Sequence, residues 1–268
     1  MKLQWILIGL AVATGLVYVL FAPLWVGKTP RLIAEGAHAA AELDEALIEL
    51  GNAQAEGWAD SSDIEERIDA SYKEAVAAYE AAYDTTPSAD VLVILGHLHL
   101  SVGKIDSARR AFVEALTKWP GTPAAYGGLG DVLFAFADYR GAIENYQNAL
   151  WWNANGVSSH GIDEGATRLR LGDAALLLHL PVLAQEHYEA VLEDDSDCFE
   201  ALLGLADAYL QQSDDDGAFV VLETAVSVGG AQGTDAICDR LGRMEQRIDR
   251  STIPDWAAEL LDSECGDS

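Results

Sequence analysis

The sequence predicts an all-α protein: an α-solenoid of helix–turn–helix repeats preceded by a single transmembrane helix. Two observations predict it. The first is a recurrence at a fixed interval. Leu95-Gly96 returns as Leu129-Gly130, Ala108 as Ala142, Phe112 as Tyr146 and Ala115-Leu116 as Ala149-Leu150, and every step is 34 residues. A period of that length marks a unit of two helices that buries its apolar face by stacking on its copies. The second is Leu3 to Val26, a run of 24 residues without a charged side chain. At about 1.5 Å of rise per residue it can cross a bilayer core of roughly 30 Å.

Residues 1–29 read as an uncleaved anchor. Trp5 and Trp25 stand at the two ends of the apolar run, where membrane interfaces favour aromatic rings; Tyr18 adds aromatic weight, and Lys2 and Lys28 bracket the whole. A cleaved signal has a shorter apolar stretch, about 7–15 residues, followed by a small-x-small site. Ala11-Val12-Ala13 falls too early for that, and Phe21 to Trp25 is a poor site. Flanking charges are nearly balanced, with the α-amine and Lys2 against Lys28 and Arg31. The short N-terminal flank favours an N-inside anchor with the large domain on the exported, periplasmic or extracytoplasmic side.

Residues 30–88 read as an amphipathic helix and a degenerate capping repeat. Leu32, Ala40, Leu43, Leu47 and Leu50 recur at helical intervals while Glu35, Glu42, Glu45 and Glu49 face out. Gly51 to Ser62 has little periodicity and reads as a loop. Ser62 with Glu65 suits a capping box for a helix over about 63–83, which ends in Ala75, Tyr79 and Ala82 before Pro87.

Two full repeats follow over 89–156. Leu92, Leu95, Gly96 and His99 share one helical face, and Gly96 lets a second helix approach its backbone. That helix is predicted over Asp106–Trp119, with Ala108, Ala111, Phe112, Ala115 and Leu116 inside. Gly103 lies at the turn, where positive φ is needed, and Pro120 stops the second helix. Residues 157–164 read as an inserted loop that displaces the next Leu171-Gly172 to 42 residues after Leu129-Gly130. Two further repeats cover 165–232; Arg168 replaces an apolar position in one, and Ala206 replaces the packing glycine in the other. Residues 233–268 read as a capping helix, with Ile237, Leu241, Met244 and Ile248 on one face, and an acidic tail.

Leu95-Gly96, Ala108, Phe112 and Ala115-Leu116 and their copies resemble the tetratricopeptide repeat family, over about 70–232. In that family partners lie along the concave face built by the first helices. The resemblance places His97, Asp131, Asp173 and Asp207 in equivalent slots there, with Leu100, Phe134, Leu176 and Leu210 one turn on. An acidic ladder beside an apolar one would receive an amphipathic or extended segment with basic residues; packing or solubility alone can also fill these slots so. The Lys/Arg/Asn set with which chaperone-associated members clamp a C-terminal carboxylate is absent.

Charge and motifs narrow the function. The 44 acidic against 16 basic residues give a net charge of −28, which argues against nucleic-acid binding. Cys198, Cys238 and Cys265 are too scattered for a zinc site or a disulfide scaffold; three free thiols are expected, with one bridge such as Cys198–Cys238 the alternative. No metalloprotease, phosphate-loop or nucleophile-elbow motif is present. His97 and His99, two apart on a helix, cannot share a metal, and His99 reads as core; His160, His179 and His187 read as surface or packing residues. Asp194 to Asp197 and Asp214 to Gly217 read as solvated turns rather than calcium loops. The expectation is a membrane-anchored adaptor for protein or peptide partners, without enzymatic activity, cofactor or metal. The alternatives are a self-associating scaffold, as a homo-oligomer, and a regulatory subunit of a membrane enzyme or transporter.

Overall fold

The structure, a computed structural model, describes residues 30–55, 61–156 and 161–265, with only the backbone for 230–232. Eleven α-helices occur among the described residues, and no strand: α1 Pro30–Ala55, α2 Ser62–Thr85, α3 Ala89–Ser101, α4 Ile105–Lys118, α5 Pro123–Ala135, α6 Tyr139–Asn155, α7 Glu164–Leu177, α8 Pro181–Asp194, α9 Phe199–Gln212, α10 Asp215–Glu245 and α11 Asp255–Ser263. None of the described helices is long and apolar enough to cross a membrane. The anchor expected at Leu3–Val26, with Trp5, Tyr18 and Trp25, lies outside the described residues, as does His160.

Two compact units are present. One runs to Phe136 and includes Trp151–Gly161; the other holds Ala137–Leu150 and everything from Ile162. The division therefore runs through the second of the expected repeats.

In the first unit α1 packs along α2. Its buried stripe holds Leu43 and Leu47, as expected, together with the small residues Gly36, Ala39, Ala46 and Ala53, whereas Leu32, Ala40 and Leu50 are only half-buried. The helix also continues through Ala55, past the glycine expected to open a loop, because Gly51 is itself buried against the core. A Cβ on Gly36 would fall under 3.0 Å from the Tyr79 ring. Thus α1 is the first helix of the degenerate repeat. The α2 cap is displaced by one residue: Ser61 precedes the helix and its hydroxyl donates to Glu65 Oε1 at 3.1 Å.

The centre of this unit is Phe112 on α4, which is fully buried. A Cβ on Gly96 of α3 or on Gly128 of α5 would fall under 3.0 Å from its ring. The ring thus fills a slot between two helices that only hydrogen-bearing Cα atoms leave open.

Half-buried Asp44 on α1 is pushed up to about 6 by its loss of hydration. Its unfolded value is about 3.9, so the folded state holds the proton more tightly. The neutral form is favoured in the fold, and Asp44's contribution is most favourable below about pH 4 and is lost as pH rises through 6. Asp44→Asn should raise the melting temperature at pH 7.5 relative to the parent, with the difference fading by pH 4. Calorimetry across that range checks it.

In the second unit Tyr188 on α8 repeats the device. It is fully buried, and a Cβ on Gly172 of α7 or Gly204 of α9 would fall under 3.0 Å from its ring. Helix α10 is continuous for 31 residues, so the expected break between the last repeat and a capping helix near residue 233 does not exist. Gly229 and Gly233 lie against the Phe199 ring. Cys238 and Cys265 form a disulfide and Cys198 is free, which corrects both the expected free thiols and the Cys198–Cys238 alternative. Cys265 is brought back to α10 by the short helix α11, a path that spacing alone does not reveal.

The hairpin turns share one geometry. Gly103, Ala137, His179 and Ser213 all have positive φ, of 74°, 60°, 55° and 60°. At three of them the backbone closes the helix with the same pair of bonds. Gly103 donates to Leu100 and Lys104 to His99; His179 donates to Leu176 and Leu180 to Ala175; Ser213 donates to Leu210 and Asp214 to Tyr209. This is the Schellman motif, which favours glycine at the left-handed position. His179→Gly and Ser213→Gly should each stabilise by about 0.5–1 kcal/mol, read as a higher urea midpoint.

Candidate partner-binding site

The expected site residues divide between the two units. In the first, Leu100 is part of the apolar core and is not available to a partner. Asp131 is buried at 6% exposure, and Phe134 is half-buried. Half-buried His97 meets Phe112 edge-on, with ring centroids 5.1 Å apart. His99 points inward as expected, with its Nδ1 2.8 Å from the Tyr72 hydroxyl. Lys104 Nζ lies 3.8 Å from the centroid of that tyrosine ring. Burial, followed by the charges of Lys104 and Arg110, lowers the pKa of His99.

The second unit holds Asp173, Leu176, Asp207 and Leu210. Helix α7 carries Asp173 and Leu176, and α9 carries Asp207 and Leu210. Tyr188 Oη donates to Asp173 Oδ1 at 2.6 Å. The Asp173 side chain remains open to solvent, yet its pKa is raised, first by desolvation and then by Asp207, against Tyr188 and Arg170. The side chain is thus exposed while the protein packed around its carboxyl group favours the protonated form. Burial and the neighbouring Asp173 push the Tyr188 hydroxyl far above its usual range, so it stays a donor.

Asp207 is not a bare acid. Its carboxylate accepts from Arg240 Nη2 at 2.5 Å and from Arg243 Nη2 at 2.8 Å. Arg240 also donates to the carbonyls of Leu203 and Ala236. The expected acidic ladder is therefore neutralised at this rung from α10. Four of the eleven arginines fall at 240, 243, 247 and 250 in a chain of net charge −28; that clustering was the available signal for internal ion pairing. Leu210 is 8% exposed and packs in the second core, whereas Leu176 is half-buried. Beside Leu176, Leu177, Leu180 and Val182 are exposed at the α7–α8 turn, with Val182 at 69%. Gln211 Nε2 donates to the Leu176 carbonyl at 3.1 Å, fixing that backbone to α9.

The remaining candidates have structural roles. His187 is buried, and His179 occupies a left-handed turn position. Asp214 caps α10 by accepting from the Gly217 amide at 3.0 Å, and Asp195 accepts from the Asp197 amide at 3.2 Å. Among the described residues no group of His, Cys, Asp and Glu side chains is placed to hold a metal ion.

The tetratricopeptide repeat family matches residues 93–155 and 168–234. No curated protein matches the sequence. Among solved structures, the chain is similar to MamA, at 19% identity and a TM-score of 0.53, over 63% of this chain and 95% of that one. It is also similar to YrrB, described as a TPR protein with an unusual peptide-binding site, at 21% identity and 0.55, over 69% and 89%. A third likeness is to the APC/C hetero-tetramer Cut9-Hcn1, at 19% identity and 0.56, over 81% and 46%. Identities this low establish a shared fold and nothing finer.

Proposed function

Residues 93–155 and 168–234 belong to the tetratricopeptide repeat family, and from that we propose that the chain is a membrane-anchored adaptor. It holds protein or peptide partners on the first-helix face of its repeats and aids the assembly of membrane or envelope complexes. The observation that carries this reading is Asp173: an exposed carboxylate in the second unit that accepts from the Tyr188 hydroxyl. Its neighbour Leu176 offers apolar surface one helical turn away. A segment with a basic residue followed by an apolar one fits both. The peptide-binding site of the similar YrrB is consistent with such a use of the fold.

The apolar run Leu3–Val26 supplies the tether in this proposal. The Cys238–Cys265 disulfide favours the exported side, because thiols pair and persist in oxidising compartments.

Asp173→Asn tests the reading with little damage to the fold, since the amide oxygen can still accept from Tyr188. Recovery of partners from detergent-solubilised membranes by the full-length chain should fall about tenfold, corresponding to roughly 1.4 kcal/mol. Undiminished recovery with an unchanged circular dichroism spectrum would remove Asp173 from the binding surface.

A further inference from the structure

We propose that the Cys238–Cys265 disulfide is a redox latch: a dithiol reductant releases the C-terminal helix α11 and uncovers its apolar seat on α10, while α7, α8 and α9 stay folded. Helix α11 has nine residues, too few to hold helical structure in water unaided. It stays in place by docking. Ala257 is fully buried, Ile253 is 8% exposed, and Trp256 meets Phe219 edge-on at 6.3 Å. The seat beneath is apolar and closed, with Ile237, Leu241 and Met244 each at 1% exposure or less.

The ion pairs at this end are exposed. Arg250 pairs with Glu245 and with Asp262, but these groups are solvent-exposed, and exposed pairs contribute little. The disulfide spans 27 residues, from the α10 face to the end of α11, with Cα atoms 5.3 Å apart. It therefore encloses the 3-10 turn at Arg250–Thr252 and the whole of α11. Cutting it restores the entropy of a long loop, which the docking of α11 alone must then oppose. The repeats behind do not depend on it: Tyr188 with Gly172 and Gly204, and the Asp207 pairs to Arg240 and Arg243, all lie outside the enclosed loop except for the two arginines, which sit on continuous α10.

The chemistry is ordinary thiol–disulfide exchange. A thiolate of the dithiol attacks one sulfur, and the S–S bond breaks to leave a mixed disulfide and one cysteine thiolate. The second thiol of the reductant then displaces the other cysteine. Two electrons pass to the protein, its cysteines take up two protons, and the reductant leaves as a disulfide. Both cysteines are partly exposed, so a small dithiol can reach them.

Hydrogen exchange on the full-length chain in mild detergent, oxidised and after dithiothreitol, tests the latch. A Cys265→Ser variant serves as a permanently open form. The expected result is a loss of protection on the order of a hundredfold over 250–264 in both open forms, with α7, α8 and α9 unchanged and increased binding of an apolar dye. Two results would overturn the proposal. One is unchanged protection over 250–264 once mass spectrometry shows both thiols free; the other is simultaneous loss across α7 to α9.

Discussion

Phe112→Ala lowers the stability of the first unit by about 3–5 kcal/mol. The ring is fully buried between Gly96 and Gly128, two positions whose missing side chains leave the space it fills. Neither α3 nor α5 can supply replacement atoms, because the walls of the slot there are backbone. Collapse would require the helices to move together within a buried core that also holds Leu92, Leu95 and Ala115. The cavity therefore remains largely open, which sets the cost at the upper end for such truncations. Thermal unfolding of the first unit should shift down by roughly 10–20 °C, with Phe112→Leu giving a smaller shift. Equal shifts for the two variants would show that the slot relaxes.

Asp207→Lys has the second largest effect, about 2–4 kcal/mol in the second unit. The carboxylate accepts two charged hydrogen bonds, each worth roughly 1.5–3 kcal/mol, and reversal sets a third cation beside Arg240 and Arg243. Partial exposure of the side chains, 21% for Asp207 and 15% for Arg240, moderates the penalty through solvent screening. A double variant, Asp207→Leu with Arg240→Met, should recover most of the loss, since an apolar pair needs no charge compensation. Urea unfolding of the three proteins checks this. The consequence for function is direct: loss of partners by Asp207→Lys would report a damaged fold, and Asp173 is the position that separates binding from stability.

Much of the fold was legible because repetition multiplies a weak signal. Leu95-Gly96 alone means little, but its return after 34 residues with Ala108, Phe112 and Ala115 in register fixes a hairpin. Gly103 likewise betrayed the first turn. The later turns were not legible, because Ala137, His179 and Ser213 take the same left-handed conformation without the residue that advertises it. The partners of each aromatic ring were half legible. Gly96 and Gly172 are motif glycines, whereas Gly128 and Gly204 line the far side of the slot and are read only from a second spacing of 32. The continuity of α10 was not legible, because the repeat count ends at 232 and says nothing of Gly229 and Gly233 packing against the half-buried Phe199 ring.

The candidate site was less legible than the fold. Slot equivalence placed Asp131, Asp173 and Asp207 on one face, but it cannot report what comes back from later in the chain. Arg240 and Arg243 arrive from α10 and neutralise Asp207. Leu100 and Leu210 are buried while Leu176 remains half-buried, a difference that residue type, leucine at all three, cannot report. Asp173 survives as the open carboxylate.

Site-specific photo-crosslinking in native membranes tests the central claim most directly, with the reactive residue placed at Leu176 on the first-helix face. Val113 and Val220, exposed at 46% and 67% on second helices, serve as controls. The adaptor reading predicts a discrete protein adduct from position 176 that is diminished by Asp173→Asn, and none from 113 or 220. Adducts only from the controls, or equally from all three, would contradict it.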